Sequence, residues 1–440
     1  MEPHVLSGFR RIMKKNKYML ICFCMLAVAG LIAGCTNTNG NLENVEEKEA
    51  VKIPVIFTVS PQNGNKSNQE LVEAFNEEYQ GQYEIEVDWI METEEEYRKN
   101  LKRQNVTDTM PAVITDLRLL PSFYQMVIED KRVMDLSEYM ESDAEWKEMI
   151  EPSVLECFEE EDGSMYLAPI STAIFSCSGM FWNEELFAKA GIYEFPKTWD
   201  EFWVCCDRLE ACGIAPLALH TEGTAWAPML ITSAALADTE EGAAFMKELF
   251  PDSYQNENGM TMADTLTKLF SYTTADALHN DFDVSFDNFF SGKAAMIPNG
   301  YWMIEQIPEE WKDKVRFSAF PGNKMVSSPE TFGWAVVDSY SEEVKEGAVE
   351  FLKFRTEYNL REKEKLLNYG GARKMRVLTD YVNAYLGEPQ IVPNYQTKWN
   401  SIFQEKTLGE YLPELVTGKI TAEEFLEAAD ASIAAYKLEH

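Results

Sequence analysis

The sequence predicts an α/β protein on two observations: strand-like and helix-like segments alternate from Val51 onward, and helix start and stop signals punctuate the middle of the chain. Strands joined through helices predict a largely parallel sheet. Val51–Phe57 reads as the first strand, and Pro54 suggests an edge or early position for it. A loop over Ser60–Ser67 precedes a helix with Leu71, Val72 and Phe75 on one face. Tyr83–Ile90 alternates Ile85, Val87 and Trp89 as a second strand. A charged helix from about Glu94 to Gln104 follows, and Pro111–Thr115 is a third strand ending at Asp116. Ligands in such sheets bind beyond the carboxyl ends of the strands, which is where Asp116 and the loop after strand one fall.

Further along, Asn183 caps a helix over Glu184–Ala190 and Gly191 stops it. Thr198 with Glu201 is a capping box for the next helix, which ends near Gly213. Ala294–Ile297 and Thr331–Val337 read as strands, and a helix follows from about Glu342 to Phe354. Thr421 with Glu424 opens an alanine-rich last helix.

Composition narrows the function. The 440 residues suit two to three domains. A formal net charge of −35 repels nucleic acid and anionic lipid, so no nucleic-acid partner is expected. The eight cysteines include no CxxC pair and leave an odd number once Cys22, Cys24 and Cys35 are set aside, a poor framework for disulfides or zinc. Cys205, Cys206 and Cys212 share a helical stretch with Phe202 and Leu209 whose spacing suits a buried face. No cofactor or metal is implied.

At the N-terminus, Arg10, Arg11, Lys14, Lys15 and Lys17 precede an uncharged, mostly apolar run over Tyr18–Ala33 that ends in Ile32-Ala33-Gly34-Cys35. A basic region, a short apolar stretch and small residues are the marks of a secretory signal. The run is short for a membrane span. The small residues ending on cysteine resemble a bacterial lipoprotein box. That resemblance implies a signal peptide over 1–34, a lipid on the Cys35 thiol, and anchoring to the outer face of the cell membrane. Residues 35–50 are polar and read as a flexible tether.

Several segments together resemble the family-1 extracellular solute-binding proteins of ABC sugar importers. They are Tyr166-Leu167-Ala168-Pro169, Met180–Ile192, Pro196–Phe202, Gly213–Leu217, Phe290–Met296, Asn299-Gly300-Tyr301-Trp302, Gly333-Trp334-Ala335-Val336, Ala348–Phe354 and Leu415–Phe425. The resemblance implies a two-lobed, periplasmic-binding-protein-like fold of type II, with discontinuous lobes joined by hinge strands. Lobe one takes 51–168 with 320–368, and lobe two takes 169–319 with 369–440. Tyr166–Ile170 and Phe320–Gly322 are then hinge strands that Pro169 and Pro321 hold extended. The implied protein is a monomer that captures a carbohydrate between its lobes and delivers it to the permease subunits of an ABC importer.

A sugar offers apolar C–H faces to aromatic rings and hydroxyls to short polar side chains. The resemblance places Trp302, Trp226, Asp116, Arg373 and Trp399 at ligand-contacting positions, and Trp334, which follows Gly333 on a strand, is expected to have a lobe-one role near the cleft. Trp226 also sits in a small-residue loop where core packing alone does not demand tryptophan. Asn63, with Gln62 and Asn65, lies on the loop after strand one. Competing readings keep the fold with another solute, such as a polyamine or glycerol phosphate, or invoke a tethered glycoside hydrolase. The chain has only four histidines and neither a GxSxG nor an HExxH motif, and a pair of carboxylates can always be drawn from 74 acidic residues. A binding protein is therefore expected, not an enzyme.

Overall fold

The computed structural model describes residues 49–58, 66–90, 94–115, 117–160, 162–169, 177–222, 225–246, 251–327, 333–367, 375–393 and 403–439. Eleven strands are found among them. They are β1 (Val51–Thr58), β2 (Tyr83–Ile90), β3 (Val113–Ile114), β4 (Ala168–Pro169), β5 (Ser178–Asn183), β6 (Ala215–Leu217), β7 (Ala294–Gly300), β8 (Val315–Ser318), β9 (Lys324–Val326), β10 (Gly333–Val336) and β11 (Gln390–Val392). They form two sheets, one in the order β2-β1-β3-β10-β4 and one in the order β11-β9-β5-β7-β6, with β8 also on β5.

In the first sheet β1 runs parallel to β2 and β3, but β10 is antiparallel to both β3 and β4. In the second, β5 is antiparallel to β7, β8 and β9. Both sheets are thus mixed rather than largely parallel: strands that return from a distant part of the chain enter in either direction, which local alternation does not reveal. Pro54 also departs from expectation, since β1 lies between β2 and β3. The Pro54 carbonyl accepts from Ala112 N at 2.9 Å, so its missing N–H faces the stretch just before β3 begins and no ladder bond is lost there.

Each sheet has its own core. Ile53, Val55 and Phe57 on β1 are buried with Phe75 of the helix Lys66–Glu78 and with Ala348 and Phe351 of the helix Glu342–Leu367. The second sheet is covered on both faces. Met180 and Trp182 pack with Phe187, Phe202 and Met229, while Phe181 between them packs with Phe317, Ile297 and Tyr381. Hence β5 is buried along its whole length, without the alternation of a one-sided strand.

The crossing between the sheets is placed later than the division at residue 320. Phe320 is 1% exposed in the second core, β9 pairs with β5 and β11, and Lys324 is paired with Asp238 at 2.7 Å. The step to β10 therefore falls after Ser327. Burial of the Phe320 ring among residues of that core holds this stretch with the second sheet. At the other crossing, Pro169 and Ala168 pair with Gly333 and Trp334 and belong to the first sheet.

Several signals act as the sequence predicts. Asn183 Oδ1 accepts from Glu185 N at 3.0 Å and Leu186 N at 3.2 Å, and Thr198 with Glu201 closes a reciprocal capping box. Gly191 and Gly213, at φ +70° and +72°, end those two helices in the left-handed region. Cys205 and Cys206 are buried, whereas Cys212, at the end of that helix, is exposed.

Candidate functional site

Two of the predicted contact residues come together beside the second sheet. β7 is buried throughout and ends at Gly300, after which the chain tightens into a 3-10 turn over Tyr301–Gln306. Trp302 on that turn is 45% exposed, an unusual position for so large an apolar ring. Gly300 makes it possible: a Cβ there would stand 2.1 Å from the Trp302 ring.

Trp226 opens the helix Trp226–Leu236, and its ring centroid lies 6.4 Å from that of Trp302, at 59°. The residue before it, Ala225, is fully buried with φ +49° and gives the helix no side-chain cap. A left-handed alanine costs about 1–2 kcal/mol, and such strain collects where a site must present a side chain in one direction. Phe282, at the start of the helix Phe282–Phe290, lies 5.2 Å from Trp226. His220 stands edge-on to both, at 5.5 Å from Trp226 and 6.0 Å from Phe282.

Two polar groups in this cluster are incompletely bonded. His220 is 1% exposed, its Nδ1 has no hydrogen-bond partner, and burial lowers its pKa to about 4. Its ring is therefore neutral at physiological pH. The Asn299 Oδ1 accepts from Gly300 N at 2.7 Å, while its Nδ2 is buried without a partner. Aromatic rings with an exposed face, beside polar groups still open to bonding, suit a ligand with apolar faces and hydroxyl edges.

Trp334 lies elsewhere, in the first core. It is 4% exposed, with Phe57 at 5.1 Å, Phe351 at 6.1 Å and the Arg355 guanidinium at 4.6 Å from its ring. Its ring is enclosed, and its unpartnered Nε1 is the group it has left to offer. Asp116, Arg373, Trp399, Asn63 and Cys35 lie outside the described residues. Sequence reading did not single out Phe282, His220 or Arg355 as members of these clusters. Asp281 Oδ1 accepts from Val284 N at 3.1 Å and caps the Phe282 helix, a local signal that could have marked the helix start, but nothing local says which way the ring turns.

Beside the second of two sheets with separate cores, the structure thus sets a half-buried Trp226 next to an exposed Trp302. Residues 70–405 match the bacterial extracellular solute-binding protein family, and the chain belongs to it. It is 27% identical over 172 residues to a probable sugar-binding periplasmic protein of Mesorhizobium japonicum, over 38% of this chain and 39% of the relative. The matched segment thus spans about two fifths of that curated relative's length. A chitin oligosaccharide binding protein has a similar structure, with a TM-score of 0.70 at 18% identity over 88% of this chain and 98% of that one. So has a Streptococcus pneumoniae solute-binding protein solved in complex with the blood group A-trisaccharide, with a TM-score of 0.66 at 19% identity over 88% of this chain and all (100%) of that one. The likeness is one of fold, that of type II solute-binding proteins.

Proposed function

We propose that the chain captures a carbohydrate between two lobes and hands it to the permease of an ABC importer. The observation that carries this reading is the Trp226–Trp302 pair, with one indole 45% exposed beside the other. Sugar-binding relatives and neighbours of the same fold support it. The lobes are the bodies around the two sheets, and the solute favours the state in which they close upon it. Asp116, Arg373, Trp399 and Asn63 are further solute contacts under this reading.

The same reading includes a lipid on Cys35. A thioether-linked diacylglycerol and the tether over 35–50 keep a freely diffusing binding protein within reach of its permease. Replacing Cys35 by Ala releases the protein into the medium; retention on the membrane would remove the anchor from the proposal.

The test of carbohydrate capture is a thermal-unfolding screen against mono- and oligosaccharides. A ligand that binds only the native state raises the midpoint, by about 2.7 kcal/mol of stabilisation at a hundred times its Kd. A shift with any of them, confirmed by calorimetric titration, supports the function. No shift with any sugar, together with one for a polyamine or glycerol phosphate, overturns it.

A further inference from the structure

Among the described residues, the first core contains a cation without a counter-charge. Arg355, on the helix Glu342–Leu367, is 8% exposed, and its guanidinium lies over the Trp334 ring at 4.6 Å. Neither its Nε nor the Trp334 Nε1 has a hydrogen-bond partner, although both atoms are buried. Other enclosed cations are matched: Arg118 with Glu160, Arg316 with Asp380, Lys324 with Asp238 and Lys353 with Asp143. With 74 acidic residues against 39 basic ones, partners are plentiful. Yet among the described residues no carboxylate is paired with Arg355, and burial alone lowers its pKa to about 9.

Its position matters as much. Phe57 and Trp89 oppose each other in register, one residue from the carboxyl ends of the parallel strands β1 and β2. Their rings stack at 5.1 Å, and Phe57 lies 5.1 Å from Trp334. The Trp334–Arg355 pair is therefore at the end of the sheet where open α/β sheets receive ligands. Stacking on an indole face offsets part of a buried charge but leaves the Arg355 Nε–H and the Trp334 Nε1–H unbonded. A neutral hydroxyl would bond an N–H and leave the charge uncompensated, and a phosphate would add a second negative charge that nothing balances. A carboxylate matches both the single charge and the planar donors.

We propose that Arg355 and the Trp334 indole N–H form a buried site for a carboxylate of the captured solute, making that solute an acidic carbohydrate such as a uronic-acid glycoside. The ligand class rests on the carbohydrate reading above; the carboxylate site does not. Two arms separate them. In the first, thermal unfolding is followed with sodium acetate against equal sodium chloride, for the wild type and for Trp334→Phe and Arg355→Gln. Acetate gives a saturable rise in midpoint over chloride, lost in both variants; Trp334→Phe keeps the ring, so the readout survives if Arg355→Gln fails to fold. In the second, digalacturonic acid and its methyl ester are titrated calorimetrically. The acid binds at least tenfold tighter than the ester, and Trp334→Phe removes that preference. Equal affinity for acid and ester overturns the acidic-carbohydrate assignment and leaves sugar capture standing. An acetate effect with no binding of either sugar supports the carboxylate site and counts against sugar capture. No acetate effect in the wild type overturns the site.

Discussion

Arg316 grips Asp380 at two points, from Nε to Oδ2 at 2.6 Å and from Nη2 to Oδ1 at 3.0 Å. The pair ties β8 to the helix Arg376–Leu386, which lies after the chain has left the first sheet for the last time. Glu184 extends the link, accepting from Arg316 at 2.9 Å and from Arg376 at 2.8 and 2.9 Å. Tyr381 of the same helix accepts from Cys177 N at 2.9 Å, just before β5.

Asp380→Ala leaves a guanidinium that is 25% exposed with Glu184 as its remaining partner. Loss of a charge-assisted pair in such a setting costs about 1–3 kcal/mol. Urea unfolding should show a lower midpoint with the slope kept. Combining Asp380→Ala with Arg316→Met should recover part of the loss, since no half-buried charge is then stranded. A change below about 0.5 kcal/mol would mean that solvent already meets the needs of both groups.

Acid should weaken the fold through His220. Its folded pKa is about 4, lowered by burial against a smaller opposing pull from Asp281, whereas an unfolded histidine titrates near 6.5. The unfolded chain therefore binds the proton first, and stability falls as pH drops through the window between those two values. The full loss is about 3 kcal/mol from this group. Urea unfolding at pH 7.5 and 4.5 measures it, and His220→Phe should flatten that part of the curve. An unchanged slope in the variant would assign the acid sensitivity to other groups.

The second core reaches past the division that the sequence suggests, and Phe320 tests this. It is 1% exposed among residues of that core. Phe320→Ala should cost about 3–5 kcal/mol, as large-to-small core changes do. Tyr193, 79% exposed, is the control, and its truncation should stay within about 0.5 kcal/mol. Equal effects at the two positions would contradict the placement of Phe320.

Legibility followed the range of the interaction. Caps such as Asn183 and Thr198 were readable because donor and acceptor lie within three residues of each other. The register of β10 was not, since Trp334 meets Ala168 only after more than 160 residues of intervening chain have folded. Trp226 and Trp302 were each visible as tryptophans in short polar or glycine-bearing segments, but their proximity depends on how the helix Trp226–Leu236 seats beside β7. That Arg355 has no carboxylate partner among the described residues could not be read at all, because a missing partner is a property of the assembled core.

Gly300 offers the sharpest test of the tryptophan pair. A Cβ at this position meets the far atoms of the Trp302 indole at 2.1 and 2.2 Å. That ring is 45% exposed and has room to swing outward, so the strain is relieved by moving the indole rather than the strand. Gly300→Ala should therefore unfold within about 1 kcal/mol of the wild type while the 6.4 Å approach to Trp226 is lost. Binding of the sugar identified by thermal shift should weaken about tenfold, and Trp302→Ala, which removes the stacking face altogether, should weaken it by about 2 kcal/mol or more. The ordering separates positioning from mere presence: if Gly300→Ala binds as the wild type does while Trp302→Ala fails, the indole works from more than one pose. If both bind normally, the solute is held by other residues and the pair is no part of its site.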